Sequence, residues 1–166
     1  MSTNYKTFIN GNYYNRFFVP LHKIKFKMGR ILAIDYGQKR VGLAVSDPMQ
    51  IIANSLETVS AHEALNFIKN YVEREKVDKF VVGLPKQMNG TDSQSMEYIT
   101  PFVKKMREMF PDIELIYVDE RFTSVLAHKT MLDGGLKKKD RQNKGLVDRI
   151  SATIILQTYL ETIRFK

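Results

Sequence analysis

The 166-residue sequence has no cysteine, which excludes a disulfide framework, a cysteine nucleophile and a thiolate zinc site together. Its three histidines, His22, His62 and His128, lie far apart, and no two share the spacing of a metal-binding pair. No stretch approaches the roughly eighteen consecutive apolar residues of a membrane span. Nor does the start carry the apolar segment of a secretory signal, so no membrane partner is expected and the cytoplasm is the default location. Internal repeats and low-complexity tracts are absent as well. The first 27 residues contain no acid at all.

What the chain does have is the composition of one soluble globular domain. Hydrophobic residues make up 43% and charged residues 27%, enough to bury a core without covalent staples. The net charge is +8, of the sign that draws a polyanion. More than half of it sits in residues 1–27, where Lys6, Arg16, Lys23, Lys25 and Lys27 give +5. Seven aromatics, from Tyr5 to Phe26, share that segment with Asn4, Asn10, Asn12 and Asn15, and Pro20 interrupts it. No helical or strand period runs through it. Residues 1–27 are therefore expected to be a poorly ordered extension, or upstream sequence ahead of a start at Met28, and residues 28–166 to be the domain. The sharper alternative is a basic, aromatic arm that stacks on nucleic-acid bases.

From Met28 the pattern is regular. Strands are predicted at 30–35, 41–46, 51–59, 79–84 and 113–118, and helices at about 61–75, 93–110, 123–132 and 145–163. Three strands joined by hairpins, then two reached through helices, make an α/β fold: a mixed five-stranded sheet with helices on both faces.

Carboxylates fall at informative places in that order. Asp35 ends the first strand, Asp119 and Glu120 end the fifth, and Asp148 lies in the first turn of the last helix. Sites in open α/β sheets form outside the carboxyl ends of the strands. With the first and fifth strands parallel near the sheet centre and the last helix across them, three carboxylates would converge. Such a cluster repels itself unless a counter-charge is present. A divalent cation with hard oxygen ligands, Mg²⁺ or Mn²⁺, removes the penalty, and two such ions suit phosphodiester hydrolysis. Each acid also has an ordinary reading: Asp35 as a turn residue, Asp148 as a charge near a helix N-terminus, and 119–121 as an exposed charged loop.

The residues Asp35-Tyr-Gly-Gln-Lys-Arg-Val-Gly-Leu-Ala-Val-Ser-Asp47 resemble the opening signature of the YqgF (RuvX) family of RNase H-like proteins. Further matches follow in order: Val82-Gly-Leu-Pro85 with Asn89-Gly90, Val118-Asp-Glu-Arg-Phe-Thr-Ser124, and Val147 to Gln157. The resemblance runs from Gly29 to about Leu160. It implies an RNase H-like core and a metal-dependent nuclease. Members are described as maturing the 5′ end of precursor 16S rRNA, and as relatives of the RuvC Holliday junction resolvase. By motif, Asp35 and Asp148 match two acidic active-site positions. Glu120 is the choice for the third, because a period of two turns Asp119 to the other face. Asp47 is either an outer carboxylate or a cap on the turn before Pro48. Phe122, Ser124 and Ser151 depart from the family's usual residues and leave the acids untouched.

Basic residues near these acids are candidate nucleic-acid contacts: Lys39 and Arg40 beside Asp35, and Arg121 and Arg149, each following an acid. Lys137, Lys138, Lys139 and Lys144 lie in a loop with Arg141 and Asp140. Arg121 and Arg149 could instead pair with their neighbouring acids, and the loop could be a solvated run or a phosphate track. The leading expectation is a Mg²⁺-dependent endonuclease acting on structured RNA, with ribosome precursors as partners, as a monomer or homodimer. Resolution of branched DNA and a non-catalytic nucleic-acid-binding module are the alternatives. A two-domain sugar-kinase-like ATPase is excluded by length.

Overall fold

The computed structural model describes residues 4–9, 12–17, 28–84, 95–119, 131, 133–135, 137–141 and 143–164. Strands β1 (Asn4–Ile9) and β2 (Asn12–Phe17) form an antiparallel two-stranded sheet of their own. The main sheet contains β3 (Arg30–Tyr36), β4 (Arg40–Ser46), β5 (Ala53–Ser60), β6 (Val77–Leu84) and β7 (Glu114–Asp119). The helices are α1 (Ala64–Arg74), α2 (Met96–Met109), the short α3 (Lys138–Arg141) and α4 (Lys144–Arg164). Met131 and Asp133 are also helical; the rest of the helix predicted at 123–132 lies outside the described residues.

The sheet order is β5-β4-β3-β6-β7. β3, β4 and β5 form an antiparallel meander, while β3, β6 and β7 run parallel. The expected mixed sheet is present, with one correction: β7 is an edge strand, separated from central β3 by β6. Its half-exposed residues suit an edge rather than a position buried on both faces.

Alternation along the strands divides the core in two. Leu32, Ile34, Leu43, Phe80 and Val82 face α1 and α2, which contribute Ile68, Ile99, Phe102 and Met106. On the other side Ile31, Ala33, Ala44 and Val81 meet Ala152, Ile155, Leu156 and Leu160 of α4. α4 has 21 residues, about 31 Å of helix, and it crosses β5, β4 and β3. Ile155 is fully buried, so Ile155→Ala should cost about 2–5 kcal/mol through lost burial and the cavity left behind.

Candidate active site

The three parallel strands end level with one another. Ile34 pairs with Val82, and Val82 with Tyr117, so Asp35 stands at a carboxyl-end rim of the kind where α/β sheets place their sites. The alternation that turns Ile31 and Ala33 toward α4 carries Asp35 to the same face. In register, Asp35 pairs with Gly42 of β4, and Gly42 with Thr58 of β5.

The start of α4 lies along that row. The Thr58 hydroxyl donates a 2.7 Å hydrogen bond to the carbonyl of Gly145. Asp148 sits directly over Gly42, where an added Cβ would come within 2.1 Å of the Asp148 carbonyl oxygen. A strand-interior residue without a side chain is what admits the helix backbone to the sheet here. Sequence reading passed over Gly42 as one more residue of a strand. The available signal was a glycine inside an apolar strand, which marks close approach of another backbone.

Asp35 and Asp148 are thereby brought together. Asp35 is half-buried, and its pKa is pushed up to about 7, first by burial and then by the negative charge of Asp148. Arg40, on the same face of β4, donates from Nε to an Asp148 carboxylate oxygen at 2.6 Å. One guanidinium thus offsets one of two clustered carboxylates. The donors are all oxygen, partly desolvated and carry an excess of negative charge, which suits a hard divalent cation such as Mg²⁺ or Mn²⁺. Two acids alone do not complete a cage: among the described residues, no group of three His, Asp or Glu could hold a metal.

The remaining predicted positions divide clearly. Glu120 and Arg121 lie outside the described residues, as do Pro85, Asn89 and Gly90. On β7, Ile116 and Val118 pack toward α4 and Leu115 toward the other core, so alternation puts Asp119 on the face opposite Asp35. Lys39 is exposed just past Asp35. Lys137, Lys138, Lys139 and Lys144 are exposed where the chain enters α4. Arg149 pairs with neither site acid; its guanidinium lies 3.5 Å from Glu57 on β5. α4 begins at Lys144, so Asp148 stands past its first turn.

Asp47 lies at the opposite end of the sheet from the acid pair. Antiparallel pairing sends the end of β4 to the beginning of β3, where Ser46 Oγ accepts from the Ile31 amide. Four strand residues separate that level from Asp35, on the order of 13 Å. Asp47 instead accepts backbone N–H groups from Met49, Ile51 and Ile52 at 2.7–2.9 Å. These bonds hold its carboxyl below the usual range, against the opposing trend that burial alone would impose. It organises the turn, the other role the sequence allowed.

The architecture is that of an RNase H-like protein. RuvC of T. thermophilus, solved in complex with a Holliday junction substrate, shares the fold with a TM-score of 0.51 at 14% identity, over 81% of this chain and 96% of that one. The sequence model of the RuvX family, described as Holliday junction resolvase, matches residues 29–162, and the chain belongs to that family. A relative from Bacteroides fragilis is 66% identical over 137 residues, covering 82% of this chain and 99% of the relative. One from Bacteroides thetaiotaomicron is 64% identical over 138 residues, 83% and 100% of the two chains. One from Flavobacterium johnsoniae is 57% identical over 138 residues, again 83% and 100%. All three carry the name "Putative pre-16S rRNA nuclease".

Proposed function

We propose that the protein is a divalent-metal-dependent endonuclease that trims precursor 16S rRNA, with Asp35 and Asp148 as catalytic metal ligands and Glu120 as the third. The observation that carries this reading is the meeting of Asp35 and Asp148 across Gly42, where burial and mutual repulsion leave Asp35 with a pKa of about 7. Two carboxylates held this way are poorly served by a single arginine and well served by a dication. The relatives' shared name supports RNA as the substrate.

When bound, the cation supplies an activated water and charge stabilisation at the leaving oxygen of a phosphodiester. The chain's own residues do the rest. Asp35, its proton passed to solvent, and Asp148 would hold the cation through their carboxylate oxygens. Arg40, held at Asp148, is placed to turn its remaining N–H groups to a phosphate. Lys137, Lys138, Lys139 and Lys144 extend a cationic approach along the start of α4, and Lys39 is exposed at the rim of the sheet. Arg149 is tied to Glu57 and serves the helix–sheet contact.

The direct test offers labelled precursor rRNA and a four-way DNA junction side by side, with Mg²⁺ and with EDTA. The reading expects Mg²⁺-dependent cleavage of the RNA, with the junction slower or untouched. Cleavage of the junction alone would favour the second reading, DNA resolution, which the family's description supports. Cleavage of neither, or cleavage that persists in EDTA, would refute the proposal.

A further inference from the structure

On the face of the sheet opposite α4, a groove of about 890 Å³ opens between the end of β3, the turn into α1 and the first half of α2. Its lining includes Tyr36, Tyr98, Lys39, Lys105, His62 and Glu97. Tyr36 stacks on Phe102, with ring centroids 4.2 Å apart and planes at 27°, so the floor is a fixed aromatic surface. Tyr98 is half-buried along the wall, while Lys39, His62 and Lys105 are exposed. Two ammonium groups therefore stand against one carboxylate, Glu97.

The groove's position relates it to the acid pair. Tyr36 directly follows Asp35, and strand alternation sends their side chains to opposite faces. The groove and the acids thus open at one rim of the sheet, on its two sides. Its volume lies within the range of about 300–1,000 Å³ that encloses small ligands. An aromatic surface flanked by cations is the arrangement that binds single-stranded nucleic acid, with bases stacked and phosphates neutralised.

We propose that this groove holds an unpaired nucleotide segment flanking the cleavage point, a base against Tyr98 and Tyr36 and its phosphates at Lys39 and Lys105. The identity of the strand rests on the nuclease reading; the groove's affinity for single strands does not need cleavage to be measured. An acidic peptide would answer the lysines but would gain little from the rings.

The test measures fluorescence anisotropy of a labelled six-nucleotide single-stranded RNA in EDTA, with a labelled oligoglutamate of equal length alongside. Tyr98→Ala should weaken RNA binding at least about five-fold, the lower end of what one base–aromatic stack contributes. Lys105→Ala should weaken it and reduce the log–log salt slope by roughly 0.7. Glu97→Gln should tighten it, a gain that misfolding cannot imitate. Circular dichroism melts establish that each variant is folded. Unchanged RNA affinity in all three variants overturns the proposal, as does oligoglutamate binding as tight as RNA and insensitive to Tyr98→Ala. Wild-type cleavage of precursor rRNA is assayed in parallel. Loss of oligonucleotide affinity in the variants without any wild-type cleavage would retire the nuclease reading and leave the groove standing. Intact cleavage with unchanged affinities would do the reverse.

Discussion

Gly42→Ala places the smallest possible side chain at the point where helix meets sheet. The new Cβ would lie 2.1 Å from the Asp148 carbonyl oxygen, 2.5 Å from its carbon and 3.2 Å from its Cα. Ordinary contact begins near 3.4 Å, so the α4 backbone must retreat by about 1 Å at Asp148. All three atoms are backbone, and no rotamer change can relieve the clash. Overpacking of this kind costs roughly 1–3 kcal/mol, and the upper half of that range applies because Ala152, Ile155 and Leu156 must move with the helix. For a domain of this size the melting temperature should fall by about 5–10 °C. A 1 Å misplacement of a catalytic group can cost on the order of 100-fold in rate, so cleavage at a temperature where the variant is fully folded should fall by about that factor. Gly145→Ala is the matched control on the same helix, since its Cβ would meet nothing closer than 3.5 Å. It should be neutral, or stabilising by up to about 1 kcal/mol. Calorimetry and a single-turnover cleavage assay decide the matter. A Gly42→Ala protein that melts and cleaves like wild type would refute the claim that this glycine sets the spacing of the site.

Asp35→Asn should abolish cleavage while making the metal-free fold more stable above pH 7. The folded pKa of about 7 exceeds the free value of 3.8, so folding favours the proton. The stability associated with it is complete below about pH 4 and is lost as pH rises through 7, by an amount on the order of 2–4 kcal/mol. Melts in EDTA at pH 5 and pH 8 should therefore differ more in wild type than in the variant; equal differences would contradict the burial of Asp35. Replacing Lys137, Lys138 and Lys139 together with alanine should lower the salt slope of nucleic-acid binding by roughly 0.7–0.9 for each phosphate the protein no longer neutralises. An unchanged slope would mark that stretch as merely solvated. Deleting residues 1–27 should leave folding and cleavage intact, because the family match begins at Gly29; a truncated protein that fails to fold would show that the segment supplies core.

Most of the domain was legible because its elements announce themselves locally. The apolar run after Arg30, the helical stripe of Ile99, Phe102, Val103 and Met106, and the glycine-punctuated turns all depend on neighbours close in sequence. β5 begins at Ala53 rather than Ile51 because Asp47 captures the amides of Ile51 and Ile52 before they can join the ladder. The β1–β2 pairing was missed although Asn10-Gly11, between the strands, is the dipeptide that most favours a tight hairpin. Aromatic density without clean alternation hid it. The site was legible only as a set of acids. That Arg40 meets Asp148, and Arg149 meets Glu57, depends on contacts spanning 108 and 92 residues, and nothing in the local pattern selects those partners.

Those spans also set a timetable. The β3–β4–β5 meander joins neighbours in sequence and can pair soon after it is made. The face bearing Ile31, Ala33, Ala44 and Val81 must wait for Ala152 to Leu160, near the end of the chain. Synthesis proceeds from the N-terminus at roughly 5–20 residues per second, so Asp148 is made several seconds after Asp35. A chain still lacking its last helix holds only one of the two paired acids, so the acid pair is among the last features of this fold to be completed.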